Sequence, residues 1–126
     1  MPVELLEWFR KVGILITNGY GMTENCAICS SVDGKDFGKL NTVGKPQKGV
    51  DLKIDEETGE ILMKGPFVMI GYYQNEELTE QTLRGGWLHT GDKGFLDEDN
   101  YLHITGRVAD SFKTSKGEYI EPLTLE

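Results

Sequence analysis

The spacing of apolar residues changes along the chain, and each change marks a different kind of element. Val3, Leu5, Leu6, Trp8, Phe9 and Val12 fall mostly at helical spacing, with Glu4, Glu7, Arg10 and Lys11 between them. This predicts a short amphipathic helix over 3–12, ended by Gly13. Ile14-Leu15-Ile16-Thr17, rich in β-branched residues, predicts a buried strand running into a glycine turn, Asn18-Gly19-Tyr20-Gly21. Residues 26–32 form a second short apolar run, and the polar, glycine-punctuated stretch 33–43 predicts a surface loop. After Pro46 apolar residues alternate. Val50-Asp51-Leu52-Lys53-Ile54 and Glu60-Ile61-Leu62-Met63-Lys64, joined by Glu56-Glu57-Thr58-Gly59, predict a hairpin that Gly65-Pro66 ends. Residues 75–83 predict a short helix capped by Asn75 and broken at Gly85-Gly86. Residues 95–104 predict two strands around an acidic turn, and 108–119 one or two more.

Strands therefore dominate, with two modest helices and no completed βαβ crossover. The fold class expected is α+β and strand-rich: a distorted antiparallel barrel, or a small sandwich, preceded by a helix and a strand. Sixteen glycines in 126 residues, about 13% against a usual 7% or so, fit short strands joined by tight turns. Thirteen basic against twenty-one acidic residues give a net charge of −8, which disfavours nucleic acid and anionic membrane surfaces as partners. Any phosphate must be held locally. No apolar run approaches the length of a membrane span, and the start carries no basic leader or cleavage signal. A cytoplasmic protein is expected, and two cysteines three residues apart suit a reducing compartment.

Several familiar motifs are nearly present. Gly19-Tyr20-Gly21-Met22-Thr23-Glu24 begins like the dinucleotide fingerprint, but Glu24 stands where its third glycine must be. Gly44-Lys45-Pro46-Gln47-Lys48-Gly49 has the glycine spacing of a Walker loop, but Val50-Asp51 replace its Lys and Ser/Thr. Cys26-Ala27-Ile28-Cys29 lacks a second ligand pair for zinc, so small buried residues are the expected reading. His89 and His103 lie in strand-like settings, where packing or a surface position is expected rather than acid–base chemistry.

Three segments remain that can carry chemistry. Tyr20 to Glu24 places an aromatic ring, a flexible glycine, a hydroxyl and a carboxylate in five residues, a set suited to stacking on a planar base, approaching it with backbone, bonding phosphate and taking Mg²⁺. Trp87-Leu88-His89-Thr90-Gly91-Asp92 presents a carboxylate at a glycine turn that can accept from both ribose hydroxyls. Gly106-Arg107, with Asp110 and Lys113 beyond, supplies basic groups in an acidic chain.

Taken in order, these segments resemble the adenylate-forming superfamily of acyl-CoA synthetases, aryl-CoA ligases, luciferases and peptide-synthetase adenylation domains. Asn18 to Glu24 resembles its adenine and Mg²⁺ motif. Val43-Gly44-Lys45-Pro46, Gly59-Glu60-Ile61-Leu62 and Lys64-Gly65-Pro66 through Gly71-Tyr72-Tyr73 resemble the stretch that follows. Gly86 to Gly94 resembles the ribose motif, and Ile104-Thr105-Gly106-Arg107 through Asp110, Lys113 and Gly117 the hinge motif. His89 and the ending Ser115 to Pro122 look most like bacterial long-chain fatty acid CoA ligases.

The resemblance implies that Tyr20 lies against adenine, with Gly21 and Met22 beside it. It implies that Thr23 contacts phosphate, Glu24 holds Mg²⁺, Asp92 binds the ribose with Arg107 assisting, Asp110 is the hinge, and Lys113 approaches the adenylate. It also implies three parts: residues 1–43 closing a preceding α/β subdomain, 44–109 a β-barrel subdomain, and 110–126 the hinge and start of a small domain. Ala109 departs from the usual Lys, and Lys116 from a common Gly. The implied parent reaction consumes ATP, a fatty acid and CoA, with Mg²⁺, in the cytoplasm or at a membrane periphery. The family's phosphate loop and its catalytic lysine have no counterpart in these 126 residues, so this chain alone is expected to be inactive and to expose apolar surface from Leu5, Leu6, Trp8, Phe9 or Ile14, through which copies can associate. The rival reading is a non-catalytic module that binds nucleotide or protein. An aryl, short-chain or amino acid adenylating relative is the alternative within the enzyme class.

Overall fold

A computed structural model of the chain describes residues 2–35 and 37–109. Helix α1 spans Val3–Lys11, with Glu4 in its first turn and Arg10 and Lys11 in its last, each favourably placed in the helix dipole. Leu6 is fully buried, while Leu5, Trp8 and Val12 are exposed. The expected strand at 14–17 does not form. The Ile14 N–H donates back to the Phe9 carbonyl at 2.9 Å and closes the helix, and the Ile14 and Leu15 side chains are exposed. β propensity produces a strand only where a partner offers a ladder, and the chain first meets one at Gly19–Tyr20 (β1). The expected glycine turn at 18–21 is therefore half strand.

Strand β1 pairs with β2 (Ser30–Ser31), and β2 with β3 (Lys45–Pro46), all antiparallel. Within the second apolar run only Ser30–Ser31 joins a ladder, because Cys26 and Ala27 take left-handed backbone after a 3₁₀ turn at Thr23–Asn25. Cys29 fits the expectation of a small buried residue, its thiol pushed up to about 12 mainly by burial, whereas Cys26 is exposed. The stretch 33–43 is not wholly a surface loop, since Leu40 and Thr42 are buried. The Walker-like segment contributes strand β3 at Lys45–Pro46. Its leading glycine, Gly44, has φ +88° and sits against the Ser31 backbone.

A second sheet runs β4 (Asp51–Ile54), β5 (Glu60–Lys64), β6 (Leu88–Leu96) and β7 (Leu102–Arg107), an antiparallel meander that curls as a half-barrel. The predicted hairpin over 50–64 is its first half. Its core is Ile61, Met63, Leu88 and Leu102 with Cys29, which immediately precedes β2, and Tyr20, Met22 and Val43 pack against it. Helix α2 (Glu76–Thr82) is capped as expected, the Asn75 side chain accepting from Leu78 N at 3.1 Å. Strand β6 starts seven residues earlier than the pattern from Phe95 implied. Val108 and Ala109 are helical, not strand, and the remainder of that expected strand region, 110–119, lies outside the described residues.

The predicted acidic turn between β6 and β7 is built on Asp97. Its carboxylate accepts from the backbone N–H of Asp99 and Tyr101, from Lys39 Nζ at 3.1 Å, and pairs with His103 Nε2 at 2.9 Å. His103 also stacks on Phe95. These contacts, the His103 bond first, hold the Asp97 carboxyl well below the usual range. A carboxyl lowered in the folded state stabilises above its unfolded pKa near 4, and that contribution drains away as pH falls below it. Thermal unfolding of the wild type is therefore expected to lose midpoint steeply below about pH 4, and Asp97→Asn to lower the midpoint at pH 7 while flattening that acid limb. An unchanged acid limb in Asp97→Asn would contradict this.

Candidate functional site

Tyr20, Asp92 and Arg107 come from three strands and meet at one place. Tyr20 ends β1, and its hydroxyl donates to Asp92 Oδ2. Burial, and then this bond, raise the phenol pKa well above its ordinary value, so the hydroxyl keeps its proton and acts as a donor. Asp92 and Arg107 stand opposite each other across β6 and β7, with Arg107 Nε 3.5 Å from Asp92 Oδ1. The guanidinium is mostly exposed, so the pair adds little stability. What it leaves is a largely buried carboxylate held between a phenol and a guanidinium.

The expected setting of Asp92 was a glycine turn. It is instead inside β6, at a place where the strand kinks: Gly91 has φ +77°, and the ladder with β5 shifts register between Glu60 and Leu62. Thr90 Oγ1 donates to the Ile61 carbonyl at 2.7 Å and accepts from Asp92 N at 3.2 Å. The sequence signal of the turn was real, but a bulge within a strand absorbs it.

A second group forms around the 3₁₀ turn. Asn25 Oδ1 accepts from Met22 N at 2.9 Å and caps that turn, and the Asn25 amide reaches Met63 Sδ. Thr23 begins the turn and is exposed. Glu24 is half-buried and accepts from the Tyr72 hydroxyl at 2.9 Å. Tyr72 keeps its proton, since burial and then the Glu24 bond raise its pKa. Gly21 is required by the chain itself, because an added Cβ would lie 2.3 Å from the Ala27 carbonyl oxygen. Met22 packs towards the core. Asp110 and Lys113 lie outside the described residues.

Beside Tyr20 opens a cleft of about 640 Å³ that Gly21, Gln47, Lys48 and Phe67 also line, within the size range of small-molecule sites. Among the described residues no group of three His, Cys, Asp or Glu side chains could hold a metal. That argues against a stand-alone metal cage, but not against Mg²⁺ carried by a nucleotide, which typically takes one or two carboxylates plus phosphate oxygens and water. Glu24, with one oxygen engaged by Tyr72 and the other free of that bond, fits such an ion.

The histidines do more than pack. His89 Nδ1 lies 3.1 Å from Glu60 Oε2 and 3.4 Å from Arg84 Nη2. Sequence reasoning gave no role to Glu60 or Tyr72. The available signal was a carboxylate heading the run Glu60-Ile61-Leu62-Met63, buried throughout.

Tyr20, Asp92 and Arg107 thus come together from three separate strands, and the family model for AMP-binding enzymes matches residues 1–73. The chain belongs to the AMP-binding enzyme family. Its resemblance to members of this family continues past the matched span. It is 39% identical over 126 residues to the long-chain-fatty-acid–CoA ligase FadD15 of Mycobacterium bovis, covering 100% of this chain and 21% of that protein. It is 38% identical over 134 residues to the 2-succinylbenzoate–CoA ligase of Bacillus mycoides, covering 99% and 28%. Among solved structures, the o-succinylbenzoate coenzyme A synthetase of Bacillus subtilis in complex with ATP and magnesium ion superposes with a TM-score of 0.80 at 35% identity, over 87% of this chain and 25% of that one. The chain therefore spans between about a fifth and somewhat over a quarter of the length of the curated relatives it matches.

Proposed function

We propose that this AMP-binding enzyme chain forms the nucleotide-facing part of an AMP-forming acid–CoA ligase. In the parent reaction a carboxylate attacks the α-phosphorus of ATP, giving an acyl-adenylate and pyrophosphate. The CoA thiol then displaces AMP, giving the thioester. The observation that carries the reading is the convergence of Tyr20, Asp92 and Arg107 from strands far apart in sequence. Tyr20 and its cleft take the adenine, with Gly21 and Met22 shaping that wall. Asp92 accepts from the ribose hydroxyls and Arg107 assists. Thr23 faces phosphate, and Glu24 holds the nucleotide's Mg²⁺, which when bound neutralises charge on the phosphates. Asp110 serves as hinge and Lys113 approaches the adenylate.

The division follows the same reading: 1–43 closes the preceding subdomain, 44–109 is the barrel part, with β3 pairing back onto the first, and 110–126 leads into the small domain. The exposed apolar side chains Leu5, Trp8 and Ile14 pack against the rest of the parent or a second copy. No helix among the described residues is long and apolar enough to cross a membrane, and we assign the parent to the cytoplasm.

For the acid, the identity to FadD15 supports a long-chain fatty acid. The nearly equal identity to 2-succinylbenzoate–CoA ligases favours an aromatic acid as the second reading. Pyrophosphate exchange by the full-length parent, with palmitate and with 2-succinylbenzoate in parallel, decides between them. The isolated chain is expected to bind AMP in calorimetry and to give no acid-dependent exchange. Appreciable exchange by the isolated chain, or no AMP binding by the parent, overturns the proposal.

A further inference from the structure

The carboxylate of Glu60 is buried, with the residue 9% exposed, and a buried carboxylate is costly unless its oxygens are engaged. Both are engaged by one short segment of β6. Oε1 accepts from Gly91 N at 2.9 Å, and Oε2 lies 3.1 Å from His89 Nδ1. That segment is where β5 and β6 fall out of step. Leu62 pairs with His89 and Glu60 with Lys93, so an advance of two residues on β5 corresponds to four on β6. The surplus takes Thr90, Gly91 and Asp92 out of the regular ladder with β5, while Asp92 keeps its place opposite Arg107 on β7, and Gly91 turns through φ +77° to allow it.

A backbone N–H in such a bulge loses its ladder carbonyl and requires another acceptor. Glu60 supplies it for Gly91, one residue before Asp92, while Thr90 ties the other side of the loop to the Ile61 carbonyl. We propose that Glu60 is a positioning residue: its carboxylate fixes the β6 bulge and thereby sets the Asp92 carboxylate for the ribose hydroxyls. The inference rests on the ribose reading of Asp92. It adds a residue that touches neither substrate nor metal and acts through the backbone.

The test compares AMP with 2′,3′-dideoxy-AMP, which lacks both ribose hydroxyls, by calorimetry on the full-length protein. Wild type is expected to prefer AMP by about tenfold or more, as hydrogen bonds to a charged acceptor imply. Glu60→Gln retains an acceptor for Gly91 N and keeps the preference. Glu60→Met fills the same volume without an acceptor and is expected to bring the two affinities within about threefold, leaving dideoxy-AMP binding unchanged. General damage to the fold would weaken both ligands together. If Glu60→Met does not fold, Gly91→Ala disturbs the same bulge and is read the same way. A wild-type preference that survives in the folded bulge variant overturns the positioning role alone. Equal binding of the two ligands by wild type overturns the ribose reading and this role with it.

Discussion

Asp92→Ala is expected to weaken AMP binding by about 10- to 100-fold, because charged-acceptor hydrogen bonds are worth about 1.5–3 kcal/mol each. The substitution removes the carboxylate that Tyr20 and Arg107 share. It leaves the β6–β7 ladder intact, since that ladder is built from backbone. Loss of affinity should therefore come without loss of fold, and circular dichroism together with the thermal midpoint separates the two. The phenol of Tyr20 gives a second readout. With Asp92 gone, its hydrogen bond and its charge cease to raise the phenol pKa while burial persists, so its absorbance titration moves down without reaching the free-tyrosine value. AMP affinity within twofold of wild type would remove Asp92 from the site.

Among the glycines compared in the described residues, Gly44→Ala is expected to be the most destabilising. At φ +88° an L-residue is strained, at a cost of about 1–2 kcal/mol. The added Cβ would also lie 1.9 Å from the Ser31 carbonyl carbon and oxygen. Those are backbone atoms of the neighbouring strand, so no rotamer relieves the overlap. Overpacking of this kind costs about 1–3 kcal/mol more, and urea unfolding should record a total loss of about 2–5 kcal/mol. Gly38→Ala is the control, because nothing lies within 4 Å of its added Cβ. Equal midpoints for the two variants would contradict the argument.

The parts of the fold readable from sequence were those governed by local chemistry. Helix α1, the Asn75 cap, the β4–β5 hairpin and the acidic turn at Asp97 each depend on residues close in the chain. The misplaced parts depend on partners far away. Ile14 to Thr17 had the composition of a strand and no ladder, whereas Gly19–Tyr20 had the composition of a turn and found Ser30–Ser31. Lys45–Pro46 was invisible for the same reason. Tyr20, Glu24, Asp92 and Arg107 were singled out because each sits in an ordered motif with suitable chemistry. Tyr72 and Glu60 were not, because their importance comes from spatial neighbours 48 and 31 residues distant.

Tyr20 belongs to the small three-stranded sheet, while Asp92 and Arg107 belong to the four-stranded one. The two sheets are also joined by the core around Cys29, by the paired backbone bonds of Val43 and Gly44 with Leu102 and by the Asn25 amide on Met63, among other contacts. A nucleotide that contacts Tyr20 and Asp92 together is thus a clamp across a seam, and mass action makes seam and ligand reciprocal. On the proposed reading of Tyr20 and Asp92, saturating AMP is expected to raise the energy needed to separate the sheets, and a substitution that loosens their docking, even one far from the cleft, to weaken nucleotide affinity.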